Sequence, residues 1–241
     1  MRLKNIVLGL LGISLVVGIH ELGHWSMCKL FNVGTPRFSI GFGPVLLEKK
    51  IGTTVFSLSA LPIGGYVEIT GMRTPEPGRE EESFSTKPFF QKAIIMLGGI
   101  AFNILFALIV LLIVGFAPPL KREQGPESDI LLTDEQRTPQ PRQQEGIVGP
   151  LGVIQMSSQS ASYGTRFYFF FLAILSLNLA VFNLLPLPIL DGGQLLIFSI
   201  EAARGHQLSS QTYNLIMTLT TIFIMFTLFY VTSKDIHRAT Q

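Results

Sequence analysis

The chain has 241 residues, 48% of them hydrophobic and 14% charged, and its mean hydropathy of +0.45 excludes an ordinary soluble domain. A formal net charge of +2, with no basic cluster interleaved with aromatics, excludes a nucleic-acid surface. Cys28 is the single cysteine, which excludes an intrachain disulfide and a thiolate zinc knuckle.

Four apolar stretches, approximately 5–28, 92–117, 166–186 and 212–232, are long enough to cross a hydrocarbon core about 30 Å thick. They predict a mainly α, multi-pass membrane protein. The first follows Met1-Arg2-Leu3-Lys4, and no small-residue cleavage site succeeds its apolar run, so it reads as a permanent span. It ends in His20-Glu21-Leu22-Gly23-His24. On a helix, His-Glu-x-x-His puts two imidazoles one turn apart on one face, as two ligands of one zinc ion require. The glutamate beside them is suited to be a general base. An ionised group near the bilayer centre costs roughly 2.5–3.5 kcal/mol even on the permissive insertion scale, which argues against a chance pentapeptide there.

After this span the chain turns polar and glycine-rich. Arg37-Phe38-Ser39-Ile40-Gly41-Phe42-Gly43-Pro44 and Phe56-Ser57-Leu58-Ser59-Ala60-Leu61 alternate with the period of a strand, and Glu48-Lys49-Lys50-Ile51-Gly52-Thr53 reads as a turn. A β-hairpin or small sheet is therefore predicted over approximately 36–70. Two uses for it are open: a surface hairpin that joins helices, or an exposed edge at Phe56, Ser57, Leu58 and Ser59 that pairs with an extended peptide. Gly71 to Lys87, with Pro75, Pro77 and Glu80-Glu81-Glu82, reads as a solvated loop, and Phe89 and Phe90 as an interfacial lead-in. In the second span Gly98-Gly99 suits close helix approach, while Asn103 is either structural or part of a polar pocket. The segment at about 118–146 is rich in Pro, Gln and charge and reads as a flexible connector; Gln155 to Thr165 is a small-residue stretch.

The third span leads into Asn178, Asn183, Pro186, Pro188 and then Asp191-Gly192-Gly193. Prolines break the helix, and non-helical backbone at membrane depth needs protein or water around it, so a polar cavity is implied. A carboxylate on this irregular segment can swing toward the two imidazoles. Asp191 would then complete a His₂Asp set with one open position, the pattern of a catalytic zinc site; its competing use is as a helix cap or turn residue. His206 and His237 lie outside the apolar spans and read as surface or interfacial.

Taken together, His20-Glu21-Leu22-Gly23-His24, the glycine-rich strand segment and Asn178…Asn183-Leu184-Leu185-Pro186-Leu187-Pro188-Ile189-Leu190-Asp191-Gly192-Gly193 resemble the site-2 protease family of intramembrane zinc metalloproteases. The likeness covers the four spans and the hairpin, and the regulator-of-sigma-E protease branch in particular. It implies one intramembrane metalloprotease domain over 1–241 and a Zn²⁺ cofactor, with His20, His24 and Asp191 as ligands and Glu21 as catalytic base. It further implies that the hairpin enters the membrane beside the site and that Asn183 contacts the substrate backbone. The implied reaction is hydrolysis of a peptide bond within or near the transmembrane segment of a membrane protein, for instance an anti-sigma factor or a signal-peptide remnant. The implied setting is the lipid bilayer of the bacterial inner membrane.

Two features depart from the branch. Where one or two PDZ domains are expected, only the polar connector at about 118–146 is present; and Gly99-Ile100-Ala101-Phe102-Asn103 lacks the proline of the family's Gly-Pro-x-x-Asn signature. Competing readings are a non-catalytic metal-binding membrane protein that captures transmembrane helices, and a metal transporter. Lysine and arginine are nearly balanced between the two sides, so charge does not set the orientation.

Overall fold

The first apolar run forms one unbroken helix, α1 (Leu3–Leu30), in the computed structural model, which describes residues 3–116, 150–162 and 164–239. No proline interrupts it, and at about 1.5 Å per residue it is longer than the hydrocarbon core is thick. The other expected spans are α2 (Phe89–Phe116), α4 (Thr165–Asn183) and α6 (Ser210–Ala239). Within these helices Val7–Leu30, Phe89–Gly115, Thr165–Asn183 and Ser210–Lys234 are long and apolar enough to cross a membrane. Helix α2 takes in Phe89 and Phe90 as its first turn. Helix α4 stops at Asn183 rather than 186, because Pro186 and Pro188 disfavour helical backbone at the residues before them.

Two shorter helices were not anticipated: α3 (Pro150–Ser162) and α5 (Asp191–Arg204). Proline at the first position of α3 loses no intrahelical bond, and the helix's small residues let it lie on α1, where Ser157 Oγ donates to the Gly9 carbonyl at 3.4 Å. Helix α5 ends on Gly205 in the left-handed region, φ 73°. The connector expected at about 118–146 lies outside the described residues.

Between α1 and α2, β1 (Arg37–Ile51) and β2 (Thr54–Val67) form a two-stranded antiparallel sheet joined through Gly52 at φ 61°. Both strands are long and bent. Gly41 and Gly43 adopt φ 87° and 83°, a region that disfavours side chains, and the register shifts repeatedly around them. As a result 38–40 meets β2 twice: Phe38 faces Phe56 and Val67, Ser39 faces Ser57 and Tyr66, and Ile40 faces Leu58 and Gly65. The far half of β1 pairs with the same central stretch, Lys49 with Phe56, Glu48 with Ser57 and Leu47 with Leu58. Residues 56–58 are thus flanked on both sides, whereas 65–67 and 47–50 each have one neighbour. Contacts from α1 hold the sheet: Trp25 Nε1 donates to Thr54 Oγ1 at 3.3 Å, its ring packs edge-on against Phe56, and Ser14 Oγ donates to the Pro62 carbonyl at 2.5 Å.

The polar loop after the sheet is docked rather than simply solvated. Phe84 is fully buried with Cys28, Val33, Ile95, Met96 and Phe198, so one loop residue joins α1, α2 and α5. Backbone bonds stitch the loop down: Gly34 N to Glu82 O at 2.9 Å, Thr70 N to Gly34 O at 2.8 Å and Phe84 N to Thr70 O at 2.9 Å. Helices α1 and α2 touch backbone to backbone where a Cβ on Gly23 would strike the Gly98 carbonyl. Further along, Ala107 and Val110 of α2 pack with Ala173 of α4. Helix α6 buries none of its most apolar window and presents Phe226 and Phe229 outward.

Candidate metal centre

His20 and His24 stand one turn apart on α1 and are 6% and 5% exposed. Their Nε2 atoms lie 3.2 Å from each other. Asp191 Oδ2 reaches 3.0 Å from His20 Nε2 and 3.3 Å from His24 Nε2, although the aspartate belongs to α5 and is distant in sequence. One ligand atom from each residue falls within 4.8 Å of the others. Asp191 Oδ2 is buried, close to both imidazoles yet satisfied by a hydrogen bond to neither. Such an orphaned oxygen facing two ring nitrogens fits a shared cation, and two imidazoles with one carboxylate form a donor set suited to zinc, leaving a fourth position open.

The surroundings orient each ring. His24 Nδ1 lies 2.8 Å from the Ile95 carbonyl, which can only accept, so Nδ1 carries the proton and Nε2, on the side of His20 and Asp191, keeps its lone pair. The side-chain amide of Asn103, a fully buried residue, lies 3.2 Å from His20 Nδ1. Nδ2 is the atom that faces the ring, and Oδ1 is buried without a partner; turning the amide over brings Oδ1 to the ring, where it accepts Nδ1–H and gives His20 the same tautomer. Ser176 Oγ in turn donates to the Asn103 backbone carbonyl at 2.9 Å. Gly99 clears the space on this side: a Cβ there would run into both imidazoles.

Glu21 points toward the sheet. Its Oε2 accepts the Val67 N–H at 3.1 Å, and Gly65 lies against its side chain. Base candidate, ligand candidates and the singly flanked stretch 65–67 therefore meet at one place.

Asp191 itself departs from the expectation of an irregular segment. It is the first residue of α5, and the break is confined to Leu184–Leu190. Gly192 and Gly193 do not loosen the backbone; they are buried in the first turn of α5, where a Cβ would collide with the Leu184 and Leu187 carbonyls. A carboxylate in a first helical turn is also favoured by the helix dipole.

Of the other candidates, Asn183 closes α4 and its amide donates to the Leu179 carbonyl at 3.0 Å, so its partner is its own helix rather than the triad. Ser57 and Ser59 are buried, and Phe56, Ser57 and Leu58 sit in the middle of the sheet, so the edge expected there is found instead at Gly65, Tyr66 and Val67. His206 is exposed at the α5–α6 corner; the His237 side chain lies outside the described ones. Sequence reasoning missed Ile95 O and Val67 N, both contributed by other elements, and read Gly99 as a close-approach glycine without its place beside the imidazoles. Asn103 did carry a signal, as a carboxamide in an apolar span.

A family model described as Peptidase family M50 matches residues 8–227. A candidate zinc metalloprotease of Clostridium perfringens is 26% identical over 330 aligned residues, covering 96% of this chain and 98% of the relative. A candidate zinc metalloprotease of Rickettsia conorii is 24% identical over 344, covering 93% and 96%. A Fusobacterium nucleatum protein named in the same way is 42% identical over 102 residues, which is 42% of this chain and 29% of that protein. The first two alignments are longer than this chain, so those relatives carry residues with no counterpart in it.

Proposed function

The chain belongs to peptidase family M50, and from that premise we propose that it is a zinc-dependent intramembrane endopeptidase, hydrolysing a peptide bond within or beside the transmembrane segment of a membrane-protein substrate. The observation that carries this reading is the convergence of His20, His24 and Asp191 from α1 and α5 among helices long enough to cross a bilayer, with Glu21 beside them.

His20, His24 and Asp191 are the residues that would hold zinc, with Ile95 O and Asn103 fixing the imidazole tautomers. When bound there, zinc supplies a Lewis acid that brings the pKa of water from 15.7 to about 7 and polarises a carbonyl. Glu21 takes the water's proton as general base and later passes it to the leaving amine. Its bond from Val67 N–H engages Oε2 and leaves Oε1 for that proton. A substrate helix must unwind before its peptide bonds can be reached, and an extended segment needs replacement hydrogen bonds inside the membrane. The stretch Gly65–Val67 has one strand neighbour and, with its Val67 N–H held by Glu21, offers its remaining main-chain groups for strand addition.

A transport role would call for further ligand groups strung through the spans; among the described residues His20, His24 and Asp191 form the one such group. A binder without catalysis has no use for a base beside the metal. The test is Glu21→Gln, reconstituted in liposomes with a transmembrane substrate. The variant is expected to keep its zinc and lose cleavage; cleavage at the wild-type rate would remove Glu21 from the reaction.

A further inference from the structure

We propose that Arg73, Tyr213 and Gln194 form a brace that positions Asp191 against His20 and His24, an inference that rests on those three residues holding a metal. Helix α5 is not one of the four membrane-crossing helices, and it follows a proline-broken turn, yet its first residue must meet two imidazoles on another element. Something has to fix where it starts.

Gln194 lies one turn after Asp191 and is 7% exposed. Both ends of its amide are engaged: Nε2 donates to the Pro188 carbonyl, in the turn that delivers Asp191, and Oε1 accepts the Tyr213 hydroxyl at 3.3 Å. Tyr213 belongs to α6 and carries the Arg73 guanidinium over its ring at 4.1 Å. Arg73 then forks onto Glu201, near the far end of α5, at 2.8 and 3.2 Å. Glu201 is 8% exposed and also accepts the Leu208 N–H at 2.8 Å.

The chain of contacts is closed. It leaves α5 at Gln194, passes through α6 and the loop, and returns to α5 at Glu201, so both ends of the short helix are referred to one arginine–tyrosine pair. The loop also touches the other half of the site. Shortly before Arg73, Val67 N–H holds Glu21, so the segment from Val67 to Arg73 spaces the base from the helix that carries the carboxylate ligand. Arg73, Tyr213 and Gln194 are positioning residues: none touches the ligand atoms, and each acts through the place it gives Asp191.

Tyr213→Phe is the clean probe, because it keeps the ring beneath Arg73 and deletes only the hydroxyl. Zinc affinity is measured on the full chain in detergent by competition with a chromophoric chelator, and ligand geometry by the visible absorption of the cobalt-substituted protein. The expected result is binding about tenfold weaker with an altered cobalt spectrum, while the metal-free variant still unfolds in one cooperative transition. Gln194→Leu behaves likewise. In an Asp191→Ala background the same change at Tyr213 has no further effect on affinity, since the residue it acts through is gone. Wild-type affinity in Tyr213→Phe would overturn the brace and leave the metal centre standing. An equal loss with Asp191 already removed would also overturn it, as general loosening. A wild-type chain that took up no zinc would remove both proposals.

Discussion

Asn103 is where sequence and structure inform each other most closely. A carboxamide in an apolar span must find a partner, and that demand was legible; its partner, His20 Nδ1, was not, because the contact bridges α2 and α1. His20, Glu21 and His24 were legible as a group, since they are neighbours on one helix and their spacing is itself the geometry. Asp191 stood out because a carboxylate among apolar residues is costly. Ile95 could not stand out, for its contribution is a carbonyl that every residue has. Asn103→Leu is expected to weaken zinc binding by about 10–100-fold, measured by chelator competition; unchanged affinity would remove Asn103 from the support of His20. Gly99→Ala, which puts a methyl group into both imidazoles, is expected to abolish stoichiometric zinc uptake on metal analysis.

Among the elements, the four long helices were legible from their apolar length alone. Helix α5 was not, because Gly192-Gly193 reads as loop by helix propensity. The pair is tolerated because the Leu184 and Leu187 carbonyls leave no room for a side chain. In the hairpin, alternation marked the strands correctly but could not say which side of each stays open. The bend at Gly41 and Gly43 returns β1 against β2 and pairs 56–58 on both sides, leaving 65–67 as an open edge. Cross-linking separates the two placements. In a Cys28→Ala background, Tyr66→Cys is expected to form a disulfide with a cysteine placed near the scissile bond of a transmembrane substrate, and Ser57→Cys is not. The reverse pattern on a gel would return the substrate to the middle of the sheet.

For the whole molecule, a metal held by α1 and α5 would act as a cross-link between parts of the chain far apart in sequence. Cys28 offers a natural reporter: it is the single thiol, fully buried in the cluster that joins α1, the loop, α2 and α5. A thiol-reactive dye should label it only as this cluster opens. Free zinc at a thousandfold over its Kd stabilises the folded state by about 4 kcal/mol, so a chelator is expected to lower the labelling temperature of the wild type and leave that of Asp191→Ala unmoved. Equal shifts in both would place the stabilising metal elsewhere.

The most direct measurement is zinc per chain in the detergent-purified wild type beside Asp191→Ala. About one zinc ion in the wild type, falling sharply in the variant, is the predicted result, because it ties α1 and α5 to a single metal centre. Zinc content untouched by the substitution, or none in the wild type when metal is supplied, would contradict that centre and the proteolysis built on it.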